Sequence, residues 1–145
     1  MLSVQQLLSG KSINAVYTVN TDQMVIEALE LMAEKNIGAL MVMEGEQLAG
    51  IFSERDYARK GIIKGRKAKT TPMSEVMTPN VITVSPNQSI EICMQLMSSK
   101  RIRHLPVVEN GKVKGILSIS DIVTAIIREQ KDHIQNLQQY ISGSY

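Results

Sequence analysis

The sequence has no tryptophan, one phenylalanine and four tyrosines, so aromatic residues make up only 3% of its 145 positions. Single-strand nucleic-acid binders stack bases on aromatic platforms, and this chain has few to offer. Its one cysteine, Cys93, excludes an intramolecular disulfide, and no Cys-x-x-Cys or Cys/His spacing that would hold a metal is present. There are only two histidines, His104 and His133. No Ser/His/Asp set falls on one loop and no Walker-type Gly-rich loop occurs. The expectation is therefore no catalytic residue, no metal and no catalytic cofactor. No stretch approaches the roughly 18–20 apolar residues that span a bilayer. Met1 to Lys11 lacks the basic start and apolar run of a signal peptide. The expected setting is cytoplasmic or otherwise reducing, with an organelle address left open and no membrane association. A net charge of +2 is too small to argue for nucleic-acid binding. Basic residues cluster only at Lys64, Arg66, Lys67 and Lys69, which reads as a solvated linker.

What the chain does have is a 43% hydrophobic content built from Val, Ile, Leu and nine Met, with an ordinary charged fraction of 21%. It also repeats itself. Shifted by about 65 residues, Val16 to Gly61 matches the later sequence without a gap, with roughly a third of positions identical. Val16-Tyr17-Thr18-Val19 falls on Val81-Ile82-Thr83-Val84, and Ile37, Leu40 and Val42 fall on Ile102, Leu105 and Val107. Gly50-Ile51-Phe52-Ser53 falls on Gly115-Ile116-Leu117-Ser118, and Asp56 falls on Asp121.

Each repeat reads as βαββα. A short extended piece, Val16–Val19 or Val81–Val84, precedes a helix whose apolar residues keep the i, i+3, i+4, i+7 spacing: Val25, Ala28, Leu29, Met32, or Ile90, Cys93, Met94, Met97. An apolar run follows, Ala39–Met43 or Leu105–Val108. A polar turn comes next, which in the second repeat contains the Asn110-Gly111 pair favoured in tight hairpins. A second apolar strand crosses a glycine, and a closing helix starts near Asp56 or Asp121. One unit alone would be marginal, so two are expected to bury their sheet faces together as one pseudo-twofold α/β (α+β) module. The divisions expected are residues 9–68, 74–130 and a helical tail over 131–145. Ile127, Ile134, Leu137 and Ile141 stand at near-heptad spacing there, which reads as a packing or dimer stripe.

Both repeats place Ser-x-x-Asp where a strand turns into a helix: Ser53-Glu54-Arg55-Asp56 and Ser118-Ile119-Ser120-Asp121. One reading is a helix-capping box with Asp as the acid. The other is a nucleotide clamp, in which the helix N-terminus and Ser hydroxyl meet a phosphate and the carboxylate accepts two bonds from a ribose diol. Alternation would send Arg103 and Leu105 to one side of a strand and His104 to the other, with Arg103 suited to phosphate. Its counterparts in the first repeat, Gly38-Ala39-Leu40-Met41, carry no charge, so two identical sites are excluded.

These strings, with Ser74-Glu75-Val76-Met77-Thr78 and Arg101 to Val108, resemble the cystathionine-β-synthase (CBS) domain family. Over about residues 10–130 the chain is similar to a stand-alone CBS pair, or Bateman module. The resemblance implies a module with two clefts, two modules associating as a disc, and adenine ligands: AMP, ADP, ATP, NAD(H) or S-adenosylmethionine. It implies a regulatory role toward a partner enzyme and a homodimer, with nucleic acid disfavoured. A ligand-independent interaction scaffold is the alternative. By position, one cleft would combine Ile51, Ser53 and Asp56 with Met77, Val81, Ile82, Ile102, Arg103, His104 and Pro106. The other would combine Ile116, Ser118 and Asp121 with Ser12, Val16, Tyr17, Ile37, Gly38, Ala39 and Met41. The resemblance implies ribose on Asp56 and Asp121 and phosphate near Ser53 and Ser118. It also points Arg55 and Ser120 toward phosphate, and sets the adenine edge on backbone near Val16 or Val81 and Ala39 or His104. Met41 stands where the family usually has Pro, and Gly38-Ala39 lack a charged side chain, a departure that implies either weaker phosphate binding in the second cleft or a preference for another ligand there.

Overall fold

A computed structural model describes residues 2–10 and 16–142. The chain opens with helix α1 (Val4–Ser9), strand β1 (Thr18–Asn20), helix α2 (Val25–Lys35) and strands β2 (Ala39–Glu44) and β3 (Gln47–Ser53). One helical turn, α3 (Glu54–Asp56), runs into a π-helical turn over Tyr57–Ile62. After a 3-10 turn at Met73–Glu75 come β4 (Thr78–Pro79), α4 (Ile90–Lys100), β5 (His104–Glu109), β6 (Lys112–Ser118) and the long α5 (Ile119–Ser142). The closing helix of the second repeat and the tail are thus one helix.

The helices begin and end where local chemistry dictates. The Ser89 hydroxyl accepts from the Ile92 amide at 3.3 Å to cap α4. At α2 the Glu27 carboxylate accepts from the Met24 amide at 2.8 Å. Both helices stop on a left-handed residue, Asn36 (φ 53°) and Arg101 (φ 54°). The next amides, Ile37 and Ile102, donate back to the carbonyls of Met32 and Met97, the closing bond of a Schellman turn. The β5–β6 hairpin turns at Asn110 (φ 52°) and Gly111 (φ 77°), the two left-handed positions that make Asn-Gly favourable there.

β2 pairs antiparallel with β3, and β5 with β6, each pair with a bulge at the same place, Val42/Met43 and Val107/Val108. β1 runs parallel to β2 through Thr18, Val19 and Asn20. The expected strand at Val81–Val84 shrinks to a single bridge, Val84 to Val107. Two prolines account for this. Pro86 occupies the position of Thr21, whose amide donates to the Met43 carbonyl. Pro106 occupies the position of Met41. Neither has an N–H to extend the ladder.

The buried residues form two clusters, one per repeat, rather than one shared core. Val19, Val25, Met32, Leu40 and Phe52 anchor the first; Ile90, Met97, Leu105, Leu117 and Ile122 anchor the second. The units interlock by exchanging their leading segments. Met73 and Val76 bury themselves in the first cluster, and Val4, Leu7 and Leu8 in the second. Backbone bonds fix the exchange: the Val25 amide donates to the Thr71 carbonyl at 2.8 Å and the Ile90 amide to the Leu2 carbonyl at 3.1 Å. The basic linker takes part, its Ala68 carbonyl accepting from the Ile26 amide, while Lys64, Arg66, Lys67 and Lys69 stay exposed.

Candidate functional site

β3 and β6 each end on a serine that becomes a helix N-cap. Ser53 Oγ accepts from the Asp56 amide at 3.2 Å, and Asp56 Oδ2 accepts from the Ser53 amide at 2.9 Å. The second repeat reproduces this at 3.1 Å and 2.9 Å between Ser118 and Asp121. Both are reciprocal capping boxes with Asp as the acid, so the capping role is built into each site. The amides just inside the helices are also engaged: Glu54 donates to the Gly38 carbonyl at 3.3 Å and Ile119 to the Arg103 carbonyl at 2.9 Å. Two of the first three helical amides at each end are therefore committed, and a phosphate could take up only part of the helix terminus.

Beyond the boxes the two sites diverge. At the second, a cavity of about 680 Å³ lies between the repeats, within the size range of ligand pockets. Ile116, Ser118, Ser120 and Asp121 line it from the second repeat, and Tyr17, Ile37, Gly38, Ala39 and Met41 from the first. Of the residues expected in this cleft, Val16 is exposed and lies outside the lining, and Ser12 falls outside the described residues. Several lining residues were not foreseen. Thr124, Ala125, Arg128 and Asp132 continue from Asp121 along one face of α5, Glu129 adds a second acid, and Lys35 and Asn36 come from the end of α2. Stepping i+3, i+4, i+7 and i+11 from Asp121 would have found the first four. The Lys35 ammonium stands 5.4 Å over the Tyr17 ring. Among the described residues, Lys35 and Arg128 are the cations of a lining that also holds Asp121, Glu129 and Asp132.

The residues expected in the first cleft scatter. His104 alone of them lines this cavity, on the second cleft's side. Met77 packs on the first core, and Ile82 and Ile102 on the second. Ile51 and Val81 are half-buried, Pro106 is buried and Arg55 is exposed. Arg103 does not share a side with Leu105: Leu105 is fully buried and Arg103 exposed. The strand starts only at His104, so its alternation never reaches residue 103.

At the first site the carboxylate is spoken for. Asp56 Oδ1 accepts from Thr78 Oγ1 at 3.1 Å and faces Lys60 Nζ at 3.7 Å. Lys60 also donates to Thr78 Oγ1 at 3.0 Å and to the Met77 carbonyl at 3.3 Å. β4 pairs with the outer edge of β3, Gly50 opposite Pro79 and Ile51 opposite Thr78. Met77 packs so closely on Gly50 that an added Cβ would stand 2.7 Å from its Sδ. Among the described residues no strand covers the outer edge of β6.

Cys93 is fully buried, and burial raises its thiol above the ordinary range. That favours the unreactive neutral form. Among the described residues no three His, Cys, Asp or Glu side chains gather to hold a metal ion. No helix there is long and apolar enough to cross a membrane.

A pair of interlocked βαββα repeats, with a ligand-sized cleft at their junction beside a Ser-x-x-Asp helix start, defines a class of tandem repeat modules. The chain belongs to the CBS domain family, whose model matches residues 12–62 and again 73–128. It is 42% identical over 142 residues to the CBS domain-containing protein CBSX3, mitochondrial, of Arabidopsis thaliana, covering 94% of this chain and 69% of that one. It resembles the solved structure of a protein with CBS domains from Burkholderia ambifaria MC40-6. The TM-score there is 0.85 and the identity 46%, over 89% of this chain and 96% of the other. A hexameric CBS-CP12 protein from bloom-forming cyanobacteria is similar at a TM-score of 0.76 and 30% identity, over 85% and 71%. CBS modules are in general regulatory and bind adenosine-containing ligands.

Proposed function

We propose that this protein is an adenine-nucleotide-binding regulatory module, taking AMP, ADP, ATP or an NAD-type ligand, that modulates a partner protein and has no catalysis of its own. The observation that carries the reading is the cavity of about 680 Å³ between the repeats. It brings together the Asp121 carboxylate, a diol acceptor, the backbone of Gly38 and Ala39, and the cations Lys35 and Arg128. The single thiol is buried and suits a cytoplasmic or otherwise reducing setting.

The test is thermal unfolding with AMP, ADP, ATP, NAD, NADH and S-adenosylmethionine. At a hundredfold excess over the dissociation constant a true ligand adds about 2.7 kcal/mol. A shift with one or more of them, reduced in Asp121→Ala, supports the reading. Silence across the panel, with protein shown to carry no co-purified ligand, overturns it.

A second reading, an interaction scaffold, has its own observation. Ile119, Val123, Ile127, Ile134, Leu137 and Ile141 are exposed along α5, at spacings that place them on one stripe. From Lys131 to Ile141 every residue is exposed, and an unsupported helical stretch of this length is marginal in water. A second copy of the chain would cover the stripe and make the homodimer. Light scattering should give a dimer for the wild type and a monomer for the double variant Ile134→Asp, Leu137→Asp. An unchanged mass would remove α5 from the interface.

A further inference from the structure

Beyond α3 the closing helices of the two repeats part. In the second repeat Ile122–Ile127 continue as part of α5, whereas the equivalent Tyr57–Ile62 wind into a π-helical turn. Such turns are rare and occur mostly at functional sites. Here the turn ends the helix and presents a tip, Ile62-Ile63-Lys64-Gly65. Ile62 and Ile63 are 59% and 73% exposed. The tip is held in place. The Gly65 amide donates to the Ile62 carbonyl at 3.0 Å and the Arg66 amide to the Gly61 carbonyl at 3.0 Å, with Gly65 at φ 74°. Arg66 Nη1 donates to the Lys60 carbonyl at 2.6 Å. Gly61 is buried against Tyr57, where an added Cβ would stand 3.0 Å from Cδ1. The Ala68 carbonyl ties the far end to α2 by accepting from the Ile26 amide at 2.9 Å. Single exposed apolar residues are ordinary on a surface, but an adjacent pair fixed on a tip is a preformed anchor.

The charge beside that anchor is of one sign. Between Tyr57 and Ser74 stand six of the chain's sixteen basic residues and no acid, which leaves ten basic and fourteen acidic residues in the rest. The chain's positive excess therefore belongs to this segment alone. Lys60 turns to Thr78 and Asp56. Arg59, Lys64, Arg66, Lys67 and Lys69 are exposed, and among the described residues none of the five pairs with an acid. An acidic surface would relieve their mutual repulsion, and an apolar pocket would cover the isoleucines. The segment's one aromatic residue, Tyr57, packs on Gly61. It therefore has neither the Trp or Phe of an interfacial membrane anchor nor a free platform for stacked bases.

We infer that the Ile62-Ile63 tip and its basic flank form a docking knob for a protein partner whose contact surface is an apolar pocket rimmed by Asp and Glu. This rests on the reading of a module that modulates a partner, and adds where that partner touches and by which chemistry. None of Tyr57 to Lys69 lines the cavity between the repeats, so docking and nucleotide binding can be measured separately.

Selection of a phage-displayed library of short random peptides on the immobilised full chain tests it. The enriched sequences should join bulky apolar residues to Asp or Glu. A synthetic copy of the best of them should bind the wild type more weakly as salt is raised. Ile62→Ser, Ile63→Ser should weaken that peptide about tenfold or more, as the loss of an interface anchor does. Lys64→Glu, Lys67→Glu, Lys69→Glu should weaken it strongly at low salt and less at high salt. If the double isoleucine variant melts early, Ile63→Gln alone carries the same test. Stabilisation by AMP should be the same in all of them as in the wild type. Enrichment of no acidic peptide, or a peptide that binds these variants as well as the wild type, would overturn the inference. So would retention of the wild type by phosphatidylcholine–phosphatidylserine vesicles, or by a single-stranded oligonucleotide, that is lost in the isoleucine variant while no peptide binds. Silence with every adenine compound would remove the nucleotide reading alone and leave the knob to the peptide result.

Discussion

The first and second repeats share their capping boxes, their bulged hairpins and their left-handed helix stops, yet among the described residues their surroundings differ: Lys60 and Thr78 stand at Asp56, and a cavity of about 680 Å³ lies beside Asp121. The difference lies in the segments that lead into each repeat. The stretch before the second repeat forms a 3-10 turn and then a two-residue strand, which zips onto β3 and brings Met77 over Gly50 and Thr78 to Asp56. The stretch before the first repeat is the helix α1, which lays Leu8 over Gly115 as Met77 covers Gly50. A repeated motif therefore fixes the geometry of a Ser-x-x-Asp corner, while what stands beside each corner comes from elsewhere in the chain.

The largest expected effect tests the interlocking of the two cores. Phe52 and Leu117 are equivalent and both fully buried. Phe52→Ala should cost about 3–5 kcal/mol and Leu117→Ala about 2–5 kcal/mol in urea unfolding. Because each core holds the other repeat's leading segment, either change should shift one common transition. Two separate transitions would break the picture of a single interlocked body.

The glycines sharpen the contrast next. A Cβ at Gly50 would stand 2.7 Å from Met77 Sδ and 2.9 Å from the Thr78 carbonyl, which the strand pairing holds in place. Gly50→Ala should cost about 1–3 kcal/mol. At Gly115 the contact is Leu8 Cδ2 at 3.0 Å, the end of a flexible side chain, so Gly115→Ala should cost less. Equal losses would mean that the two flanks are equally rigid.

The capping serines supply the control. Ser53→Ala and Ser118→Ala should each cost about 0.5–2 kcal/mol, and by similar amounts, because the boxes match. A large inequality would show that the clamp at Asp56 also supports the first helix.

The smallest effect concerns Cys93, equivalent to Ala28, both fully buried. Burial raises the thiol, so folding favours its protonated form. That contribution to stability is complete below the ordinary thiol range and is lost as pH rises through it. Labelling by a thiol reagent should follow global unfolding in urea. Rapid labelling of the native protein would place Cys93 in a locally opening region.

The βαββα repeat, its register and the two Ser-x-x-Asp corners were legible in the sequence because they depend on local signals. Apolar periodicity, an Asn-Gly turn and side chains that bond backbone three residues away are all written within a few positions. The strand expected over Val81–Val84 did not form beyond a single bridge at Val84, because Pro86 and Pro106 lack the amides that would extend the ladder, and only the ladder shows which amides those are. Arg128 was missed although it lies i+7 from Asp121 on the same helix face, whereas Lys35 was missed because nothing local links the end of α2 to Asp121; they meet only at the cavity.

By itself, then, the sequence determined the number of repeats, their elements and the identity of the residues at each corner, because short-range hydrogen bonding and hydrophobic period fix these. Only the tertiary structure decided that the cores are interlocked, that Lys60 and Thr78 close on Asp56, and that the open cavity lies beside Asp121. These depend on contacts between positions far apart in the chain, which no periodicity or spacing encodes.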